Sequence, residues 1–196
     1  LVSMPLVAFL MATADWVVEI TLGGQWLHAA PIFFNLGAAA LVIPIMNTSG
    51  WLLISQGRTR LIFRWGFADA ALTVASIAAG LPWGASGVAA GYSIGTVCVR
   101  MPILSWLTGR EGPVGTGDYY RIMIAPLVAS VAVAAAVTGF RHAVTMSPVK
   151  GLAAAMLIAG VVAAAVCLLI PSSRRELADF GAIIRILDPR NRVPKQ

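Results

Sequence analysis

The length of its uncharged stretches is what most limits the folds open to this chain. Between Glu19 and Arg58 there is no Asp, Glu, Lys or Arg, and between Arg121 and Arg141 there is none either. Between Arg64 and Arg100 a single charge, Asp69, interrupts the apolar run. A bilayer core about 30 Å thick needs roughly 20 consecutive apolar residues in a helix rising about 1.5 Å per residue. A helix of a soluble protein is apolar along one stripe only, so runs that stay apolar on every face argue against a soluble domain. Composition agrees, with 59% of residues hydrophobic and 11% charged, against about 25% charged in an ordinary soluble domain. The expected fold is all-α: a polytopic transmembrane helical bundle of about six spans, followed by a C-terminal amphipathic helix.

The six segments run over about Leu1–Ile20, Ala30–Ser55, Leu61–Gly80, Ala85–Leu107, Tyr120–Phe140 and Val149–Ile170. Residues 1–170 form the transmembrane region and residues 171–196 a basic tail. In the tail, Ser173 and Glu176 have capping-box spacing. Leu177, Phe180, Ile183, Ile184 and Leu187 then recur at helical spacing beside Arg174, Arg175 and Arg185. That pattern suits a helix lying on an anionic membrane surface, or one packed on the cytoplasmic loops. The chain opens at Leu1 inside an apolar segment without an initiating Met, which reads as the C-terminal part of a larger protein.

Lys and Arg mark the cytoplasmic side of a membrane protein. Arg58, Arg60 and Arg64 follow segment two, Arg110 and Arg121 flank the loop after segment four, and the tail adds Arg174, Arg175, Arg185, Arg190, Arg192 and Lys195. These regions fall on one side of a six-span chain. The opposite loops carry Asp15 and Glu19 with only Arg141 and Lys150. Both chain ends are therefore expected in the cytoplasm, at a bacterial inner membrane. The net charge of +6 is accounted for by topology and gives no reason to expect nucleic-acid binding.

Polar residues inside the spans are the candidates for function. Asn35, Ser49 and Gln56 fall within about 60° of one another on a wheel of 3.6 residues per turn, with Asn47 and Thr48 just after Pro44. This stripe suits either hydrogen bonds between helices or a bent helix lining an aqueous cavity. Gly87, Gly91 and Gly95 at four-residue spacing let helix backbones approach closely, as packing inside a bundle or across a dimer requires. Asp69 and Arg100 lie inside spans, where a lone ion costs a few kcal/mol on insertion scales. Segments three and four are joined by the short Leu81–Gly84 connection, so the two charges are expected at similar depth on antiparallel neighbours. Three readings follow: an ion pair, an Arg100 that snorkels to the headgroups, and an Arg100 turned into a cavity to meet a phosphate.

Motif-borne chemistry is lacking. Cys98 and Cys167 sit in apolar segments as packing residues, and His28 and His142 have no ligand-like spacing, so neither a metal site nor a cofactor is expected. No phosphate loop, nucleotide fingerprint, zinc-protease pair or nucleophile elbow occurs. An enzyme is not expected.

Ala14-Asp15, then Leu22-Gly23-Gly24-Gln25-Trp26, Ala29-Ala30-Pro31, Gln56-Gly57-Arg58 and Gly84-Ala85-Ser86-Gly87-Val88-Ala89 form an ordered series over Leu1–Leu107. The series resembles the polysaccharide-transporter (Wzx-like) oligosaccharide flippases, of the superfamily that also holds multidrug and toxin extruders. That resemblance implies a transporter of about fourteen helices in two lobes, of which this chain supplies the last six. It also implies movement of undecaprenyl-diphosphate-linked oligosaccharide across the membrane by alternating access. The implied partners are membrane lipid, the lipid-linked oligosaccharide and the N-terminal lobe of the same protein. Arg64 and Arg100 suit a diphosphate substrate. A cation-coupled drug exporter of the same superfamily, and a membrane anchor or assembly subunit without transport, are the alternatives.

Overall fold

The computed structural model describes residues 2–110, 115–144 and 147–169. Among them every regular element is helical: α1 (Ser3–Ala12), α2 (Ala14–Leu22), α3 (Ala30–Ser55), α4 (Thr59–Gly80), α5 (Gly84–Gly95), α6 (Met101–Gly109), α7 (Thr116–Ala143) and α8 (Pro148–Leu169). Short stretches of 3-10 helix occupy Gly24–Ala29 and Leu81–Trp83, and a π turn, Thr96–Arg100, joins α5 to α6. The amphipathic tail helix expected after Pro171 lies outside the described residues.

Four helical stretches are long and apolar enough to cross a bilayer, and the bent α1–α2 pair would make a fifth. One of the four, Thr59–Gly109, is 51 residues long. It turns back at Leu81–Trp83 so that α4 packs along α5, and it therefore holds two crossing lengths. The fold is a helical membrane bundle, as the uncharged stretches require.

Segment one departs from the expected single span. It breaks at Thr13, whose backbone leaves the helical region at φ −115° and ψ 20°, and α2 departs from α1 at 77°. With ten residues, α1 alone is about 15 Å long, half a hydrocarbon core. A helix break frees backbone carbonyls that need partners; the Phe9 carbonyl keeps the Thr13 N–H at 3.0 Å, and side chains add the rest. The Thr13 hydroxyl donates to the Phe9 carbonyl at 2.9 Å. Arg141, from the far end of α7, donates to the Ala12 carbonyl and pairs with Asp15. Its guanidinium lies 4.6 Å from the Trp16 ring centroid.

Pro44 removes one backbone donor from the interior of α3, yet the helix runs through it from Ala30 to Ser55 without a break. Thr48 and Ser49 back-bond to the carbonyls of Pro44 and Ile45 at 2.9 and 3.0 Å, so both hydroxyls are satisfied on their own helix. The end of α3 is a Schellman closure. Gly57 adopts φ +68°, the Gly57 N–H donates to the Ile54 carbonyl at 2.9 Å, and the Arg58 N–H reaches Leu53 at 3.0 Å. A second left-handed glycine, Gly84 at φ +67°, opens α5 after the Leu81–Trp83 turn.

The helices pack in the order α4, α5, α3, α1, α7, α8, each mainly against the next. Sequence order and spatial order therefore differ: α3 connects directly to α4 but packs along α5. The apolar core lies between α1, α7 and α8, where Phe9, Val133, Val137, Ala155 and Ala159 are buried. By contrast, α4 buries one residue, Gly80, because a single neighbour holds most of its contacts.

Candidate functional site

The α4–α5 hairpin brings the two intramembrane charges together. Asp69 lies ten residues into α4, about 15 Å at the helical rise, and Arg100 lies nine residues before the end of α6, about 14 Å. Arg100 Nε donates to Asp69 Oδ1 at 2.6 Å and Nη2 donates to Oδ2 at 2.9 Å. This bidentate pairing is the strongest geometry open to Arg and a carboxylate. The third nitrogen, Nη1, donates to Thr96 Oγ1 at 3.0 Å, and Thr96 in turn donates to the Tyr92 carbonyl at 2.7 Å. The guanidinium carbon stands 5.6 Å from the Tyr92 ring centroid. Arg100 thus has partners on both edges and one face, and its side chain is 11% exposed.

The π turn sets this geometry. Pro102 lacks the N–H that would bond to Cys98, and its ring crowds that carbonyl, so the helix widens between Thr96 and Arg100. Widened turns of this kind occur inside helices mostly as single turns and often at functional positions. Here Thr96 and Arg100 are the first and last residues of the turn, and Thr96 is fully buried.

Above the ion pair the two helices touch backbone to backbone. A Cβ on Gly87 would sit 2.6 Å from the Gly80 carbonyl oxygen, one on Gly91 2.5 Å from that of Ser76, and one on Gly95 2.0 Å from the Ser76 hydroxyl. Gly87, Gly91 and Gly95 are therefore the packing face of α5 against α4. A groove of about 590 Å³ runs beside this contact, lined among others by Asn35, Ser76, Gly80, Trp83 and Gly87.

The polar stripe of α3 turns into the bundle. Asn35 Nδ2 donates to the Ser86 hydroxyl at 2.9 Å and to its carbonyl at 3.3 Å, while the Asn35 carbonyl accepts from Ser93 Oγ at 2.5 Å. Ser49 is 2% exposed. Gln56 is half-buried, and its amide atoms are enclosed without a hydrogen-bond partner among the described residues. Asn35 and Ser49 thus hold helices together or bond their own helix, and only Asn35 also borders the groove. Asn47 and Arg64 are exposed on the outside of α3 and α4. The candidate residues are not gathered into one site: Asp69 and Arg100 pair, Gly87, Gly91 and Gly95 form the α4–α5 contact, Asn35 bridges α3 to α5, Ser49 and Gln56 are enclosed on α3, and Asn47 and Arg64 lie on the outer surface.

Sequence reasoning left out Tyr92 and Thr96, the other partners of Arg100. Their signal was spacing: Tyr92, Thr96 and Arg100 recur every four residues and share a helix face. The Arg141–Asp15–Trp16 cluster leaves no local pattern, because Arg141 is far in sequence from both of its partners.

A helical membrane bundle with an ion pair inside its apolar length is the class that this fold defines. Over 133 residues the chain is 29% identical to the teichuronic acid biosynthesis protein TuaB of Bacillus subtilis. The match takes in 67% of this chain and 27% of that protein, so the chain covers about a quarter of its relative's length. No family model matches the chain, and no solved structure matches it at a significant level.

Proposed function

We propose that this chain is part of a membrane transporter for cell-surface polysaccharide synthesis, one that moves a lipid-linked oligosaccharide across the bilayer. The observation that carries this reading is the similarity to a teichuronic acid biosynthesis protein over two thirds of the chain, borne by a bundle of apolar helices. In this reading the chain makes and breaks no covalent bonds. It supplies the C-terminal helices of a two-lobed carrier in the bacterial inner membrane, with both of its own ends in the cytoplasm. The α4–α5 hairpin forms one rigid unit of that carrier, closed by glycine contacts and by Asp69–Arg100. The carrier lipid is undecaprenyl diphosphate.

The test uses the full-length protein in proteoliposomes with a fluorescent undecaprenyl-diphosphate oligosaccharide. Transport moves label from one leaflet to the other, and a membrane-impermeant quencher reads the change. Redistribution no faster than in protein-free vesicles would refute the reading. Efflux of organic cations by the same vesicles would favour a drug exporter instead.

A further inference from the structure

We propose that the outer face of α4 binds an anionic phospholipid. Arg60 and Arg64 hold its headgroup phosphate, and an acyl chain runs along Phe67, Ala71 and Val74. This site does not depend on the transport reading, because it needs only a folded hairpin in a bilayer.

At 100° per residue, α4 divides into two opposite faces. Asp69, Thr73, Ser76 and Gly80 share one face, and the contacts of Asp69 with Arg100 and of Gly80 with Gly87 turn it toward α5 and the π turn. Arg60, Arg64, Phe67, Ala71 and Val74 fall on the other face, and all five are exposed. Phe67 and Val74 are each 66% exposed, and Phe63 beside them is 69%. At the start of this stripe Thr59, Arg60, Phe63 and Arg64 line a groove of about 430 Å³. Phe63 and Phe67 meet edge to face with centroids 5.0 Å apart and form the step between the cationic end and the apolar run.

Among the described residues no carboxylate pairs with either arginine. Asp69, on the opposite face, is held by Arg100, and Asp118 accepts the Gly115 N–H at 3.0 Å. Asp15 is paired with Arg141. Two cations one turn apart therefore face outward with no acidic partner among the described residues. Length selects a lipid over a soluble anion: from Arg64 to Val74 the helix rises about 15 Å, the depth of one leaflet of a 30 Å core. A free phosphate has no use for that apolar stripe, and a zwitterionic lipid brings no net charge to the arginines. A basic residue near the membrane surface contributes about 1 kcal/mol toward an anionic lipid, so the pair corresponds to roughly a thirty-fold preference.

Native mass spectrometry of the purified chain, released from micelles containing phosphatidylglycerol or phosphatidylcholine, tests the proposal. Phosphatidylglycerol should stay bound where phosphatidylcholine is lost. Arg60→Gln with Arg64→Gln should weaken phosphatidylglycerol binding roughly thirty-fold, whereas Arg60→Lys with Arg64→Lys should keep most of it. Arg110→Gln, near the same end of the bundle, should leave binding unchanged. Ala71→Trp retains both cations but blocks the acyl path, and should weaken binding at least several-fold if about three chain carbons are displaced. Equal binding by wild type and the double Gln variant, equal retention of phosphatidylcholine, or unchanged binding by Ala71→Trp would each overturn the proposal. So would displacement of phosphatidylglycerol by equimolar undecaprenyl diphosphate, since the site would then belong to a transported lipid.

Discussion

Replacing Asp69 with Asn leaves a side chain of nearly the same shape and removes its charge. Arg100 then remains in the bundle with one neutral acceptor in place of a bidentate carboxylate. Its position, about 14 Å from the end of α6, keeps it within the apolar length of the hairpin. Thr96 and the Tyr92 face remain as partners, so the loss falls short of a bare ion. A charged residue at the centre of a spanning helix costs about 2.5–3.5 kcal/mol on insertion scales, and breaking one side of a buried pair costs about 3–5 kcal/mol. With the remaining partners discounted, Asp69→Asn should destabilise the bundle by about 2–3 kcal/mol. Arg100→Gln should cost a similar amount by stranding Asp69. The assay is reversible unfolding by sodium dodecyl sulfate titration in mixed micelles, run on wild type, both single variants and the double variant. If the two side chains depend on each other, the double variant loses no more than the worse single variant, a coupling of about 2 kcal/mol. Single losses that simply add would refute the pairing, and would mean that Arg100 is satisfied by headgroups or by Thr96 and Tyr92 alone.

Three further outcomes follow from the geometry. Gly91→Leu should lower stability by about 1–3 kcal/mol in the same titration, because its Cβ would meet the Ser76 carbonyl at 2.5 Å, while Gly66→Ala, with open space around it, should be neutral or slightly stabilising. Arg141→Ala should strand the Ala12 carbonyl and Asp15 at the α1–α2 break. It should cost about 1–3 kcal/mol and speed hydrogen exchange at the start of α2, with Arg141→Lys intermediate. For topology, a cysteine at Gln25 should react with a membrane-impermeant maleimide added outside intact cells and one at Thr59 should not; the reverse pattern would invert the orientation.

Span positions were readable from the sequence because a bilayer tests every residue of a run alike. Segment two matches α3 at both ends, and segment three misses the start of α4 by about half a turn. The break within segment one is hidden from the sequence for a definite reason. It is held by Arg141, which is 129 residues from Ala12, and local composition carries no trace of so distant a partner. The polar stripe of α3 was visible on a helical wheel, but a wheel cannot say whether a face meets water or another helix. Ser86 and Ser93 on α5 decide that here. The register of Asp69 with Arg100 was legible for the opposite reason, since a short hairpin connection fixes which residues of its two arms share a depth. The π turn left one readable mark, Pro102 two residues after the arginine.

The separation of 31 residues between Asp69 and Arg100 also bears on how the protein is made. A ribosome adding about 5–20 residues per second completes α4, which ends at Gly80, roughly 1–4 s before Arg100 is synthesised. During that interval α4 carries a lone carboxylate and has lost the company of α3, which is destined to pack on α5. An apolar helix with an unpaired ion near its middle enters a bilayer poorly. The expected route is therefore for α4 to wait at the membrane surface or within the insertion machinery until α5 follows, and for both to enter as one hairpin with the two charges already joined. The glycine ladder suits such an entry, because backbone contact between the two arms requires no side chain to find its place first. The same ion pair that closes the finished bundle would then set the moment at which two of its helices leave water.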